Sequence, residues 1–187
     1  MHLSWAREHH ARVIEAVRAG GDIPPKLEDG WQDALYEATR DQPAAEVIAG
    51  AARSWDLFET VIDACTEEDL ARPNPYDSGR KRVDGSPGDH LAAHVFWCHM
   101  EAGDERAAEA ILLWARDLSA RTSTDPRTHA IATYNLACLY ARTGRPEGAV
   151  PLLRESFDGA PYLKEWSLKD PDLDAIRDDP GVVQLLA

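Results

Sequence analysis

Cysteine is scarce in this chain and badly placed for pairing. Cys65, Cys98 and Cys138 are an odd number at wide spacing, and no C-x-x-C pair exists. That excludes a disulfide framework and a zinc ribbon and points to a reducing compartment. Each cysteine lies in an apolar helical context and reads as a small buried side chain, not an activated thiol. Long apolar runs are missing too: a stretch such as Leu91 to Met100 is too short to span a bilayer. The opening residues, Met1 to Glu8, have neither the basic region nor the apolar run of a signal peptide, so a cytoplasmic location is expected. Positive charge is in deficit, with 20 Lys and Arg against 33 Asp and Glu and a net charge of −13. Such a field repels phosphate backbones, so neither nucleic acid nor an anionic membrane is an expected partner. Arg80-Lys81-Arg82 is too small a basic cluster to reverse this. Phosphate-binding loops, H-E-x-x-H and nucleophile-elbow patterns are absent, so catalysis and a bound cofactor are not expected.

What the chain does have is helical periodicity. Trp5, His9, Val13 and Val17 recur at steps of four, and Gly20-Gly21 suits a left-handed helix end. Trp31, Ala34, Leu35 and Ala38 give a second, shorter stripe. A third helix is expected from near Pro43, capped by Asp41 or Gln42, with Val47, Ile48, Ala51, Trp55, Phe58, Ile62 and Cys65 on its apolar side. Thr66-Glu67-Glu68-Asp69 resembles a capping box. Turn chemistry at Pro73 to Gly79 and Asp84 to Pro87 then interrupts the pattern. The expected organisation is an N-terminal helical region over 1–72, a loop or linker over 73–86, and a second helical region over 87–187. Ser86 and Asp125, each followed by proline, are helix-start signals. Asp170-Pro171 and Asp179-Pro180 open two short terminal helices. Asp170, Asp172 and Asp174 begin like a calcium loop, but Ala175 and Gly181 stand where that loop needs Gly and Glu. No useful apolar/polar alternation exists, so strands are not expected. The expected class is all-α, with roughly nine to eleven helices.

The second region repeats itself. Gly103 and Gly144 each separate two helices, with Ala108 and Ala115 five and twelve residues after the first and Ala149 and Ser156 at the same offsets after the second. The run from Tyr134 to Ala149, with Asn135-Leu136-Ala137, Tyr140, Gly144 and Ala149, closed by Pro161, resembles the tetratricopeptide repeat. The match covers residues 130–161. It is looser over 89–116, where Phe96 replaces the usual small residue. The tail from Lys169 to Pro180 is similar to the acidic segment that closes many bacterial repeat arrays of this type. The resemblance implies helical hairpins stacked as a short solenoid, beside an N-terminal bundle. It also implies non-enzymatic binding of a protein or peptide in a concave groove. Carried over, the register puts His90, Ala93, His94, Trp97 and Glu101 of one hairpin, and Ile131, Tyr134, Asn135, Cys138 and Arg142 of the next, on that groove. The expected contact residues are His90, His94, Trp97, Tyr134, Asn135 and Arg142, and the net charge favours a basic or neutral segment.

Two other readings stand beside this one. His90 and His94, one turn apart, can chelate a metal if His9 or His10 adds a third ligand. The stretch from Trp55 to Trp97 is loosely similar to the DinB-like bundles that hold a metal with three histidines. The alternative function is therefore a metal-binding helical bundle. The third reading is a structural subunit that self-associates through exposed tryptophans.

Overall fold

A computed structural model describes the backbone of residues 2–85 and 90–186, and the side chains of 4–83 and 92–186. The chain is mostly helical and divides into two compact units, Met1–Val83 and Asp84–Ala187. No helix among the described residues is long and apolar enough to cross a membrane.

In the first unit, α1 (His2–Ala19) packs along α3 (Ala44–Asp63), with α2 (Trp31–Thr39) and α4 (Glu67–Ala71) beside them. Ala11 and Ile14 meet Phe58, Val61 and Leu70, and Trp55, Ile62, Cys65 and Val83 close the cluster. The core is narrower than the apolar stripes imply. Ile48 remains 69% exposed, and α2 buries no residue fully. Helix α3 begins behind Pro43, not behind Asp41 or Gln42: proline's fixed φ holds the entry turn without a side-chain cap. The Thr66 box is formed, with Asp69 N–H donating to the Thr66 hydroxyl and Thr66 N–H donating back to Asp69.

The segment expected as a loop over 73–86 is more ordered than its turn residues suggest. Strands β1 (Pro73–Asn74) and β2 (Asp77–Ser78) pair antiparallel, and α5 (Gly79–Gly85) follows directly. Asn74 Oδ1 accepts the Tyr76 N–H inside the turn, a local Asx bond that a search for long alternation cannot detect. The Tyr76 hydroxyl accepts Leu27 N–H at 2.7 Å, tying the hairpin to the loop after α1. The helix start expected at Ser86-Pro87 lies outside the described residues.

The second unit consists of α6 (His90–Glu101), α7 (Glu105–Thr122), α8 (Pro126–Arg142), α9 (Pro146–Gly159) and α10 (Tyr162–Ser167). A 3₁₀ helix (Pro171–Ile176) and α11 (Pro180–Leu186) complete it. The turns at Gly103 (φ 75°) and Gly144 (φ 68°) both use the left-handed region. Each helix packs on the next from α6 to α9, with α8 on α9 the most extensive pairing. The small residues do what their spacing suggests: Ala108, Ala115, Ala137, Ala149 and Ser156 are each at most 2% exposed, so the backbones approach closely. Asp125 caps α8 by accepting Arg127 N–H, and Asp104 caps α7 by accepting Ala107 N–H. Leu173, Ile176 and Val182 of the end segment join Tyr134, Leu153, Phe157 and Leu163 in one apolar cluster.

Candidate functional site

On α6, Phe96 turns inward against Leu112, Leu136 and Leu139. The next residue, Trp97, faces out at 39% exposure, as the helical rotation of about 100° per residue requires. On α8 it is Leu136 and Leu139 that face this cluster. Arg142, at the last turn, carries its guanidinium over the Trp97 indole, 4.5 Å from the ring centroid. This cation–π contact brings the outer sides of α6 and α8 together. Arg142 Nη1 also donates to Asp172 Oδ1 at 2.7 Å, so the 3₁₀ helix forms one border of the surface. His94 is exposed and Asn135 is half-buried on the same two helices.

Tyr134 does not remain on that surface, contrary to the groove assignment. It is only 4% exposed, and its hydroxyl donates to Asp170 Oδ2 at 2.8 Å. Trp166 Nε1 donates to the same oxygen at 3.1 Å, and Asp172 N–H donates to Asp170 Oδ1. The end segment thus covers Tyr134 and Cys138. Burial, the neighbouring Cys138 and the Asp170 carboxylate push the tyrosine hydroxyl far above its ordinary pKa. Burial and Asp170 likewise raise the Cys138 thiol. Of the cysteines read as buried, only Cys138 is: Cys65 is half-buried and Cys98 exposed.

His90 opens α6, and its side chain lies outside the described residues. Among the described residues no three His, Cys, Asp or Glu side chains stand close enough to hold a metal. His9 and His10, the suggested third ligands, instead surround Tyr76. His9 Nε2 is 2.9 Å from its hydroxyl, and the His10 ring lies edge-on to it at 4.8 Å. Burial, Arg82 and His9 together push His10 down to about 4.

One arrangement with the order of a catalytic triad has no signature in the sequence, because its members lie on three different helices. Ser119 Oγ lies 3.2 Å from His129 Nδ1, and His129 Nε2 lies 3.0 Å from Glu155 Oε1. The order mimics a nucleophile triad, but the surroundings make it a clamp. Ser119 is 5% exposed and donates to Arg116 O at 2.9 Å within α7. Arg116 Nη2 engages both Glu155 oxygens at 2.8 Å. Against the upward push of burial, Arg116 and then His129 hold the Glu155 carboxyl below its ordinary range. Ser119 also lies in the last turn of α7, where backbone N–H groups are spent on the helix itself and cannot hold an oxyanion. The group joins α7, α8 and α9.

No protein-family model matches this chain, and no curated protein or solved structure matches it. The chemistry open to the α6–α8 surface is that of its own side chains: aromatic stacking on Trp97, hydrogen bonding by Asn135 and His94, and charge pairing at Arg142 and Asp172.

Proposed function

We propose that the second unit is a short tetratricopeptide-like solenoid that binds a protein or peptide segment along α6 and α8. The observation that carries this reading is the solvent-exposed Trp97–Arg142 stack. An aromatic held rigid by a guanidinium is the type of anchor on which interface energy concentrates. His94 and Asn135 flank it, and Tyr134 supports it from the core without touching the partner. His90 belongs to the proposed surface by its register alone. The net charge of −13 and the Asp172 border favour a basic or neutral segment, whose association weakens as salt rises.

The test is a display selection of short disordered segments on the full chain, followed by fluorescence polarisation of the winners. Trp97→Ala is expected to weaken them about tenfold or more, the ordinary effect of removing an anchor. Asp172→Asn is expected to reduce the salt dependence. Selection of no segment, or winners indifferent to Trp97→Ala, defeats the reading. Light scattering on the same sample shows whether a second copy occupies the surface instead.

A further inference from the structure

Most arginines of this chain are exposed or paired: Arg18, Arg53, Arg106 and Arg154 lie exposed. Arg12, Arg40, Arg72, Arg80, Arg116, Arg121, Arg127, Arg142, Arg145 and Arg177 each pair with a carboxylate. Arg7 and Arg82 have no such partner among the described residues, although both are withdrawn from water. Arg7, on α1, is 7% exposed. It donates from Nη1 to Ser54 Oγ at 2.7 Å and lies 3.8 Å over the Trp55 ring. Arg82, on α5, donates from Nη2 to the Tyr76 carbonyl at 3.3 Å and lies 5.5 Å from the Tyr76 ring centroid. In both, the Nε–H is buried and unpartnered, and these are the only such side-chain nitrogens or oxygens among the described residues.

Buried charges are ordinarily paired, and the deepest cations are where pairing matters most. Ser54 and the two aromatic rings accept part of the charge but neutralise none of it. His10 lies one turn along α1 from Arg7, and it shares the Tyr76 ring with Arg82: the His10 ring is 4.8 Å from that ring and the Arg82 guanidinium 5.5 Å. The Nε–H and adjacent Nη–H of an arginine form the edge that binds two oxygens of one anion. An imidazolium adds a further donor.

We propose that Arg7, His10 and Arg82 form a binding site for a phosphate-class oxyanion, inorganic phosphate or a phosphomonoester. Three donor groups match the several oxygens of a tetrahedral anion better than the two of a carboxylate. Asp77, whose charge also reaches Arg82, is exposed and bonded to Lys81 at 2.9 Å, so one shared carboxylate stands against Arg7, Lys81 and Arg82 and the site stays cationic. His10 faces His9 on its own helix, Tyr76 in the hairpin and Arg82 on α5. Burial first, and then the charges of Arg82 and His9, keep His10 neutral; an anion among these groups opposes all three, so binding takes up a proton.

The experiment is an NMR titration of the His10 imidazole in the full chain with inorganic phosphate, against sodium chloride and sodium acetate at equal ionic strength. The expected result is a saturable rise of the His10 pKa by about one unit or more, produced by phosphate and not by chloride or acetate. Arg82→Gln is expected to weaken that response at least tenfold. Arg80→Gln, which removes the Glu67 pair on the same helix, is expected to leave it unchanged. Circular dichroism establishes that both variants fold. Should Arg82→Gln not fold, Arg82→Lys serves, since it keeps the charge but loses the two-point edge and is again expected to weaken binding. Absence of a saturable response, an equal response to chloride, or a response indifferent to both Arg82 variants overturns the site. An equal response to acetate overturns the assignment to phosphate.

Discussion

Gly148 is a position where one methyl group decides the outcome. A Cβ there would stand 2.7 Å from Tyr140 Cδ2. The ring cannot retreat freely. Its hydroxyl donates to Glu109 Oε1 at 2.7 Å, and the Arg145 guanidinium lies 4.3 Å from its centroid. Gly148→Ala should therefore destabilise the chain by about 1–2 kcal/mol, since overpacking outweighs the gain of up to about 1 kcal/mol in helix propensity. Urea unfolding measures it, and Tyr140→Leu in the same chain should recover most of the loss. His10 gives a second prediction at this scale. Its pKa falls from 6.5 unfolded to about 4 folded, so the unfolded chain binds the extra proton. The associated stability is complete above about pH 6.5 and is lost as pH falls toward 4. Its full size is on the order of 3 kcal/mol. In phosphate-free buffer, unfolding free energies at about pH 7.5 and about pH 5 should differ by about 2 kcal/mol from this group alone. His10→Gln should flatten the slope, and an unchanged slope would refute the assignment. Neither effect is legible in the sequence. Gly148 looks like an ordinary helical glycine until Tyr140 is seen against it. Arg7 and Ser54 look like solvent-facing residues, yet they bury each other.

At the scale of the element, the legible features are those whose cause lies within a few residues. Asp125-Pro126, the Thr66 box and the Gly103 and Gly144 turns are local bonds between neighbours, and the structure places them where the residue types demand. Asp125→Ala should accordingly cost about 1 kcal/mol, the usual value of an N-cap, read as a shift in thermal midpoint without loss of helical content. The features that escaped depend on something else. Stripe residues of α2 and α3 stay exposed because an apolar face is buried only if a partner covers it, and periodicity says nothing about coverage. The hairpin over 73–78 is two residues per strand, below the length at which alternation can be recognised. Joints between elements escape for the same reason. Glu109 on α7 receives Tyr140 from α8 and Arg145 from the turn beyond it, and first Tyr140 and then Arg145 hold its carboxyl below the ordinary range. Such a bond set specifies how a hairpin meets the helix before it.

At the scale of the whole chain, the end segment decides which part of α8 can meet a partner. The repeat pattern placed Tyr134 and Cys138 on a groove because register along one helix is a local property. Their burial comes from the end segment, whose Asp170 lies 36 residues beyond Tyr134 and 32 beyond Cys138. Asp170 gathers four donors, the Tyr134 hydroxyl, the Trp166 indole N–H, the Asp172 backbone N–H and, at 4.0 Å, the Cys138 thiol. The seal rests on one carboxylate, and thiol chemistry can report on it. In the native chain, a thiol reagent such as Ellman's should label exposed Cys98 promptly and leave Cys138 unreacted, because burial both blocks access and keeps the thiol protonated. Asp170→Ala leaves the Tyr134 hydroxyl unpaired in an apolar setting, which favours local opening of the end segment over global unfolding. Labelling of Cys138 should then accelerate about tenfold or more, as a loss of about 1.4 kcal/mol in the opening equilibrium implies. Cys65→Ser together with Cys98→Ser in both backgrounds isolates that signal, and circular dichroism should show the remaining helices intact. If Cys138 stays equally protected in Asp170→Ala, the apolar contacts of Leu173, Ile176 and Val182 hold the segment down by themselves. The carboxylate would then orient a cover that hydrophobic burial already keeps closed.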